Sequence, residues 1–109
     1  MNASALEVES GVLDAETAAN LAEMFRALSD PSRIRIISAL ADSELNVGTL
    51  AEAVDLSESA VSHQLRGLRQ MRLVRARKEG RQVFYALDDE HITDLFHRGL
   101  DHILHGEEA

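Results

Sequence analysis

Apolar residues recur at three- and four-residue spacing in five stretches of this chain and give way to β-leaning runs in two others. From about Ala15 to Leu28, the residues Ala18, Leu21, Ala22, Phe25 and Leu28 form the stripe of a first amphipathic helix. Ser29-Asp30-Pro31 stops it and starts another. Asp30 is a good N-cap, and Pro31 suits the first helical position, where its missing N–H costs nothing. The second helix carries Ile34, Ile37 and Leu40. Asn46 can cap a short third helix with Val47, Leu50, Ala51 and Val54. After a break at Asp55-Leu56, Ser57 can cap a fourth, from Glu58 to about Met71, with Val61, Leu65 and Leu68 turned inward.

The period then changes. Leu73-Val74-Arg75-Ala76-Arg77 and Gln82-Val83-Phe84-Tyr85-Ala86-Leu87 lean to strand, joined by Lys78-Glu79-Gly80-Arg81, where Gly80 can supply the positive φ of a hairpin turn. Asp88-Asp89 can cap a last helix carrying Ile92, Leu95, Phe96, Leu100, Ile103 and Leu104. Four helices, a hairpin and a long helix predict a mainly α fold, a winged helix-turn-helix, over residues 15–109. Residues 1–14 show no convincing period and are expected to form a flexible arm.

A chain of 109 residues fits one domain with a modest core, so self-association is a natural way to bury more apolar surface. No apolar run nears the roughly 20 residues that span a bilayer. The first fifteen residues hold Glu7, Glu9 and Asp14 and no basic residue, so they do not read as a secretory signal. A cytoplasmic protein with no membrane partner is expected. Cysteine is absent, which removes disulfides, thiolate catalysis and sulfur ligands. Any metal must be held by histidine, carboxylate, backbone or water.

The net charge of −8 argues against a nucleic-acid partner only on average. Between Ser57 and Gln82, Arg66, Arg69, Arg72, Arg75, Arg77, Lys78 and Arg81 face only Glu58 and Glu79. An acidic body with one basic segment docks on DNA in one orientation, although a solvated charged face gives the same composition. The helix-turn-helix, the hairpin and the charge segregation together favour DNA, and the fourth helix has the face for it. Its outer face is small, polar and basic, with Ser59, Ser62, His63 and Arg66, as major-groove reading requires. Arg77, Lys78 and Arg81 of the hairpin would contact the backbone or minor groove and position the protein there. Four aromatic residues are too few for a single-strand stacking platform, so double-stranded DNA is the expected partner.

Four of the five histidines, His91, His97, His102 and His105, fall on the last helix. At ~100° per residue with His91 at zero, His102 lies near ~20° and His105 near ~320°, whereas His97 lies off the stripe near ~240°. His91 and His102 are ~16 Å apart along the helix, and two histidine reaches to one zinc sum to only about 12 Å. One helix cannot gather Asp89, His91, His102 and His105 around one ion. Two antiparallel copies can, giving two equivalent inter-subunit sites per dimer with apolar neighbours such as Leu95, Leu100 and Ile103 in the seam. A histidine-rich amphipathic helix that binds no metal is the plainer alternative.

Three motifs in order carry a resemblance: Leu28-Ser29-Asp30-Pro31-Ser32-Arg33-Ile34-Arg35-Ile36, Leu56-Ser57-Glu58-Ser59-Ala60-Val61-Ser62-His63-Gln64-Leu65, and Gly80-Arg81-Gln82-Val83-Phe84-Tyr85-Ala86-Leu87-Asp88-Asp89. The chain, from about Asn20 to His105, resembles the ArsR/SmtB family of metal-sensing repressors. The resemblance implies a homodimer, joined through the first and last helices, on an imperfect inverted repeat of operator DNA. It makes the Ser57–Met71 helix the reading helix, with Ser59, Ser62 and His63 among the contacts. The spacing Asp89-x-His91-x10-His102-x2-His105 is similar to the inter-subunit site of the family's zinc and cobalt sensors. It further implies a relay from the free ring nitrogen of a ligand such as His102 to a backbone carbonyl near Arg72.

Two departures narrow the effector. The cysteine site that other members carry near the third helix is missing, since Glu44-Leu45-Asn46-Val47-Gly48 stands there, and with it goes arsenic, antimony and thiol-redox chemistry. Nickel-preferring relatives recruit extra terminal histidines, and this chain has none before His63 or after His105. Four nitrogen and oxygen ligands therefore favour Zn(II), with Co(II) as a surrogate. A degenerate metal site with another effector, a zinc-buffering protein and a winged helix used only for protein contacts are the competing readings. An enzyme is the least favoured, because four ligands leave no open position on the metal.

Overall fold

The computed structural model describes residues 11–106. Side-chain caps set most of its helix starts. α1 spans Ala15–Ala27, α2 Pro31–Leu40, α3 Val47–Val54, α4 Glu58–Gln70 and α5 Glu90–Gly106. Asp30 accepts from the Arg33 N–H, Asn46 from Thr49 and Ser57 from Ala60, each satisfying a donor the helix itself cannot. Asp89 Oδ1 accepts from the N–H groups of His91 and Ile92 at 2.9 and 3.3 Å and so caps α5. Of the arm expected over 1–14, residues 1–10 lie outside the described residues, and 11–14 lead into α1 as exposed irregular chain.

α3 and α4 both end through a residue with positive φ that is not glycine, Asp55 (56°) and Arg72 (59°). In each case the two bonds of a Schellman motif form: Leu56 N–H to Ala51 O and Asp55 N–H to Glu52 O, then Leu73 N–H to Leu68 O and Arg72 N–H to Arg69 O. Aspartate tolerates the left-handed region better than arginine does. Arg72→Gly is therefore expected to raise stability by about 0.5–1 kcal/mol in urea unfolding, and Asp55→Gly by less. No gain in either variant would show that neither residue is strained there.

The sequence predicted a two-stranded hairpin, and the sheet has three strands. β1 (Leu45–Asn46) pairs antiparallel with β3 (Gln82–Leu87), which pairs with β2 (Val74–Glu79), in the order β1-β3-β2. Two residues are too short to show a period, and Leu45↔Tyr85 and Asn46↔Phe84 pair across 40 and 38 positions of chain. The hairpin loop is also tighter than expected. Lys78 and Glu79 belong to β2, Glu79 pairs with Gln82, and only Gly80 and Arg81 turn the chain, with Gly80 at φ 61°.

The core forms where these elements meet. Ile36, Ile37 and Leu40 of α2, Leu50, Ala51 and Val54 of α3, and Val61, Leu65 and Leu68 of α4 are buried together with Leu73, Val74 and Leu87. The inward stripe read for α4 is the observed one. α1 contributes one buried residue, Ala27. Its stripe residues Leu21 and Phe25 remain exposed, as do Leu100, Ile103 and Leu104 of α5. Of these, Phe25, Leu100 and Ile103 border, with Leu28, Ile34, Ile92, Leu95 and Phe96, an apolar groove of about 350 Å³ between α1, α2 and α5. The architecture is a winged helix-turn-helix, with α3 and α4 as its helix pair and β2–β3 as its wing.

Candidate nucleic-acid interface and metal ligands

α4 turns Val61, Leu65 and Leu68 into the core, so its 3.6-residue period turns Ser59, His63 and Arg66 outward, all exposed, with Ser62 half-buried beside them. Ser62, Arg66, Arg69 and Gln70 line a groove that reaches Tyr85 on the wing strand β3. Small side chains at the N-terminal end and arginines at the C-terminal end give this face close approach and positive charge.

Side-chain hydrogen bonds between elements hold α4 in place. Arg33 of α2 donates through Nε to Gln64 Oε1 at 2.7 Å and through Nη1 to Ala27 O at 3.1 Å, tying α4 to the end of α1. Arg35 donates to Val54 O at the end of α3. Asn46 uses both ends of its amide: Oδ1 caps α3 while Nδ2 donates to Gln82 at 2.7 Å. The sequence reading missed these arginine roles, because each partner lies far along the chain and no period or spacing announces it.

The three basic wing residues differ. Lys78 and Arg81 are exposed at or beside the turn. Arg77 lies further back, where it donates through Nη2 and Nε to Glu44 Oε1 at 2.8 and 3.1 Å and reaches Glu79 at 3.5 Å. Its guanidinium also lies 5.2 Å from the centre of the Phe84 ring. The hydrogen bond from Arg77 holds the Glu44 carboxyl below its ordinary value, against an opposing effect of burial. Arg77 is thus shared between the wing surface and an ion pair at the wing's root.

On α5 the four candidate ligands form two pairs. Asp89 Oδ1 stands 3.4 Å from His91 Nδ1, and both capping bonds fall on that same oxygen, leaving Oδ2 outside the cap. Partial burial of Asp89 would raise its pKa. The N–H groups of Ile92 and His91 and the His91 ring outweigh this and hold the carboxyl below its ordinary value. His102 and His105 line one open depression with Arg98 and Asp101, nearer the other end of the helix. Among the described residues of one copy, no three His, Asp or Glu side chains converge on a point that could hold an ion. As a donor set, one carboxylate and three imidazoles in two exposed pairs fit a tetrahedral zinc ion completed across two copies. His97 packs edge-on against Phe96 at 5.3 Å instead.

A helix pair with an exposed polar and basic second helix, followed by a wing, defines the class: a DNA-binding regulator of transcription and not an enzyme. Residues 30–76 match the family described as bacterial regulatory protein, arsR family. The chain is 50% identical, over 89% of its own length and 74% of the relative's, to the transcriptional repressor SmtB homolog of Synechocystis sp.. It is 38% identical, over 76% of its length and 69% of the relative's, to the cadmium resistance transcriptional regulatory protein CadC homolog of Staphylococcus aureus. Its fold is similar, at a TM-score of 0.75 and 29% identity over 86% of this chain and 85% of that one, to the homodimeric winged helix-turn-helix DNA-binding domain of Mb0332 from Mycobacterium bovis. This chain belongs to the arsR family. No helix among its described residues is long and apolar enough to cross a membrane.

Proposed function

We propose that this protein is a cytoplasmic repressor that binds operator DNA as a homodimer and lets go when Zn(II) binds between the α5 helices. Co(II) would serve as a surrogate. The observation that carries this reading is the division of the ligands into two exposed pairs at separate points of α5, beside an uncovered apolar face. Packing two copies antiparallel through α1 and α5 would cover Phe25, Leu100 and Ile103. The same packing would bring Asp89 and His91 of one copy to His102 and His105 of the other. The homodimeric relative supports the pairing, and the cadmium-resistance relative supports a metal as effector. The lack of cysteine favours zinc over a thiophilic ion.

When bound, zinc supplies a four-ligand cross-link between the terminal helices. The chain supplies the rest. Asp89 is ionised at neutral pH and already oriented by its cap, and His102 and His105 share one surface at i and i+3. Ser59, Ser62, His63 and Arg66 read the major groove, while Arg77, Lys78 and Arg81 engage the backbone. By linkage, zinc and DNA weaken each other's binding by one common factor, typically ~1–3 kcal/mol.

Fluorescence anisotropy on the duplex upstream of the protein's own gene tests this directly. Tight binding in chelator, released by about one zinc per protomer, is the expected result. Tight binding indifferent to saturating zinc would sink the effector while keeping the DNA partner. In the same assay Ser62→Glu is expected to weaken operator binding at least tenfold by setting a carboxylate against phosphate, with zinc stoichiometry unchanged. Wild-type affinity in that variant would exclude this face of α4.

A further inference from the structure

The end of the reading helix and the start of the metal-ligand helix meet at the backbone of one residue. Leu73, buried at 1% exposure, donates its N–H to Leu68 O at 2.9 Å, closing the last turn of α4. Its carbonyl accepts the Asp88 N–H at 3.1 Å. Asp88 is followed directly by Asp89, whose carboxylate caps α5 and belongs to the proposed ligand set. Arg75, two residues beyond Leu73 on β2, closes this joint from the other side. Its Nη1 lies 2.8 Å from both Leu87 O and Asp88 O, so one guanidinium nitrogen holds the two carbonyls that precede Asp89. Hydrogen bonds from a charged donor are roughly twice as strong as neutral ones. The turn from β3 into α5 is therefore fastened at once to the root of the wing and to the end of α4.

We propose that Arg75 is a positioning residue that couples the metal state to the reading head. By locking Leu87–Asp89 against β2 it makes a displacement of Asp89 a displacement of Leu73, and hence of α4 and the wing together. Without Arg75 the turn gives way locally, and Asp89 can be captured by a metal while α4 stays in place. This rests on the metal-release reading above.

The test compares wild type, Arg75→Gln and Arg75→Lys as full-length protein, titrating Co(II) by its visible absorption and operator affinity with chelator and with zinc. In Arg75→Gln the Co(II) stoichiometry and the chelator-state affinity are expected to stay within about threefold of wild type. The zinc-induced loss of affinity, about 5–150-fold in a typical coupled system, is expected to shrink at least fivefold, with partial recovery in Arg75→Lys. Amide exchange at Asp88 in the metal-free protein should quicken in Arg75→Gln, a readout that involves no metal. An unchanged zinc effect in Arg75→Gln overturns the proposal. So does a fall in chelator-state affinity with the zinc ratio preserved, which would make Arg75 a phosphate contact. Wild-type protein that fills with Co(II) yet holds DNA equally well with zinc defeats the metal-release reading itself, and that result is read before any variant is compared.

Discussion

Ile103→Glu is expected to give a folded monomer that no longer holds its operator. Ile103 is 63% exposed in the single chain and borders the apolar groove with Phe25, Ile34 and Leu100, yet it takes no part in the buried core. The chain's own fold therefore does not need it, and circular dichroism should match wild type. In the proposed dimer the same position lies in the seam, and twofold symmetry places two carboxylates there. An ionised group moved from water to an apolar contact without a partner costs several kcal/mol, enough to dissociate a dimer of ordinary affinity. Joining two reading heads raises affinity by roughly 10²–10⁴ over one, so the monomer should lose operator binding by at least two orders of magnitude. Sedimentation velocity and anisotropy in chelator read both effects. A dimer with wild-type operator affinity would move the interface away from α1 and α5.

His102→Ala should do the reverse, keeping DNA and losing the signal. His102 is exposed and lies on a different element from α4, so operator affinity in chelator is expected to equal wild type. One of the four proposed ligands is gone, however, and in the proposed site each half depends on its counterpart in the other copy. Losing merely an outer-shell partner of a zinc ligand typically costs 10–100-fold in affinity, and losing the ligand itself should cost more. At the zinc concentration that releases wild type, the variant should stay on DNA. His97→Ala is the matched control: its ring is set against Phe96 and away from the stripe, so its zinc response should survive. Release of His102→Ala at wild-type zinc, or loss of response in His97→Ala, would require a different ligand set.

These two variants rest on different kinds of information. The histidine stripe, the α4 face and the caps at Asp30, Asn46, Ser57 and Asp89 are local patterns. A helix repeats every 3.6 residues and a cap acts within three, so the chain near each residue contains all that decides it. The Gly80 turn was legible for the same reason, and its length was misjudged because strand ends are set by the partner strand and not by the residues themselves. β1 was invisible because two residues carry no period, and its existence depends on Tyr85 and Phe84 arriving beside it. The exposure of Leu21 and Phe25 was likewise beyond the pattern, since a periodic stripe shows that a face is apolar without showing which surface covers it.

The sequence by itself determined the order of elements, the inward face of α4, the basic segment within an acidic chain and the impossibility of one helix enclosing the metal. Those follow from helical rise, side-chain reach and charge, which need no knowledge of distant contacts. Only the tertiary structure decided that Arg77 is bound to Glu44, that Arg33 joins α1 to α4, and that Leu73 and Arg75 fasten the start of α5 to the end of α4. A guanidinium reaches several ångströms in any direction, and its partner is chosen by whichever carbonyl or carboxylate folding brings within that reach.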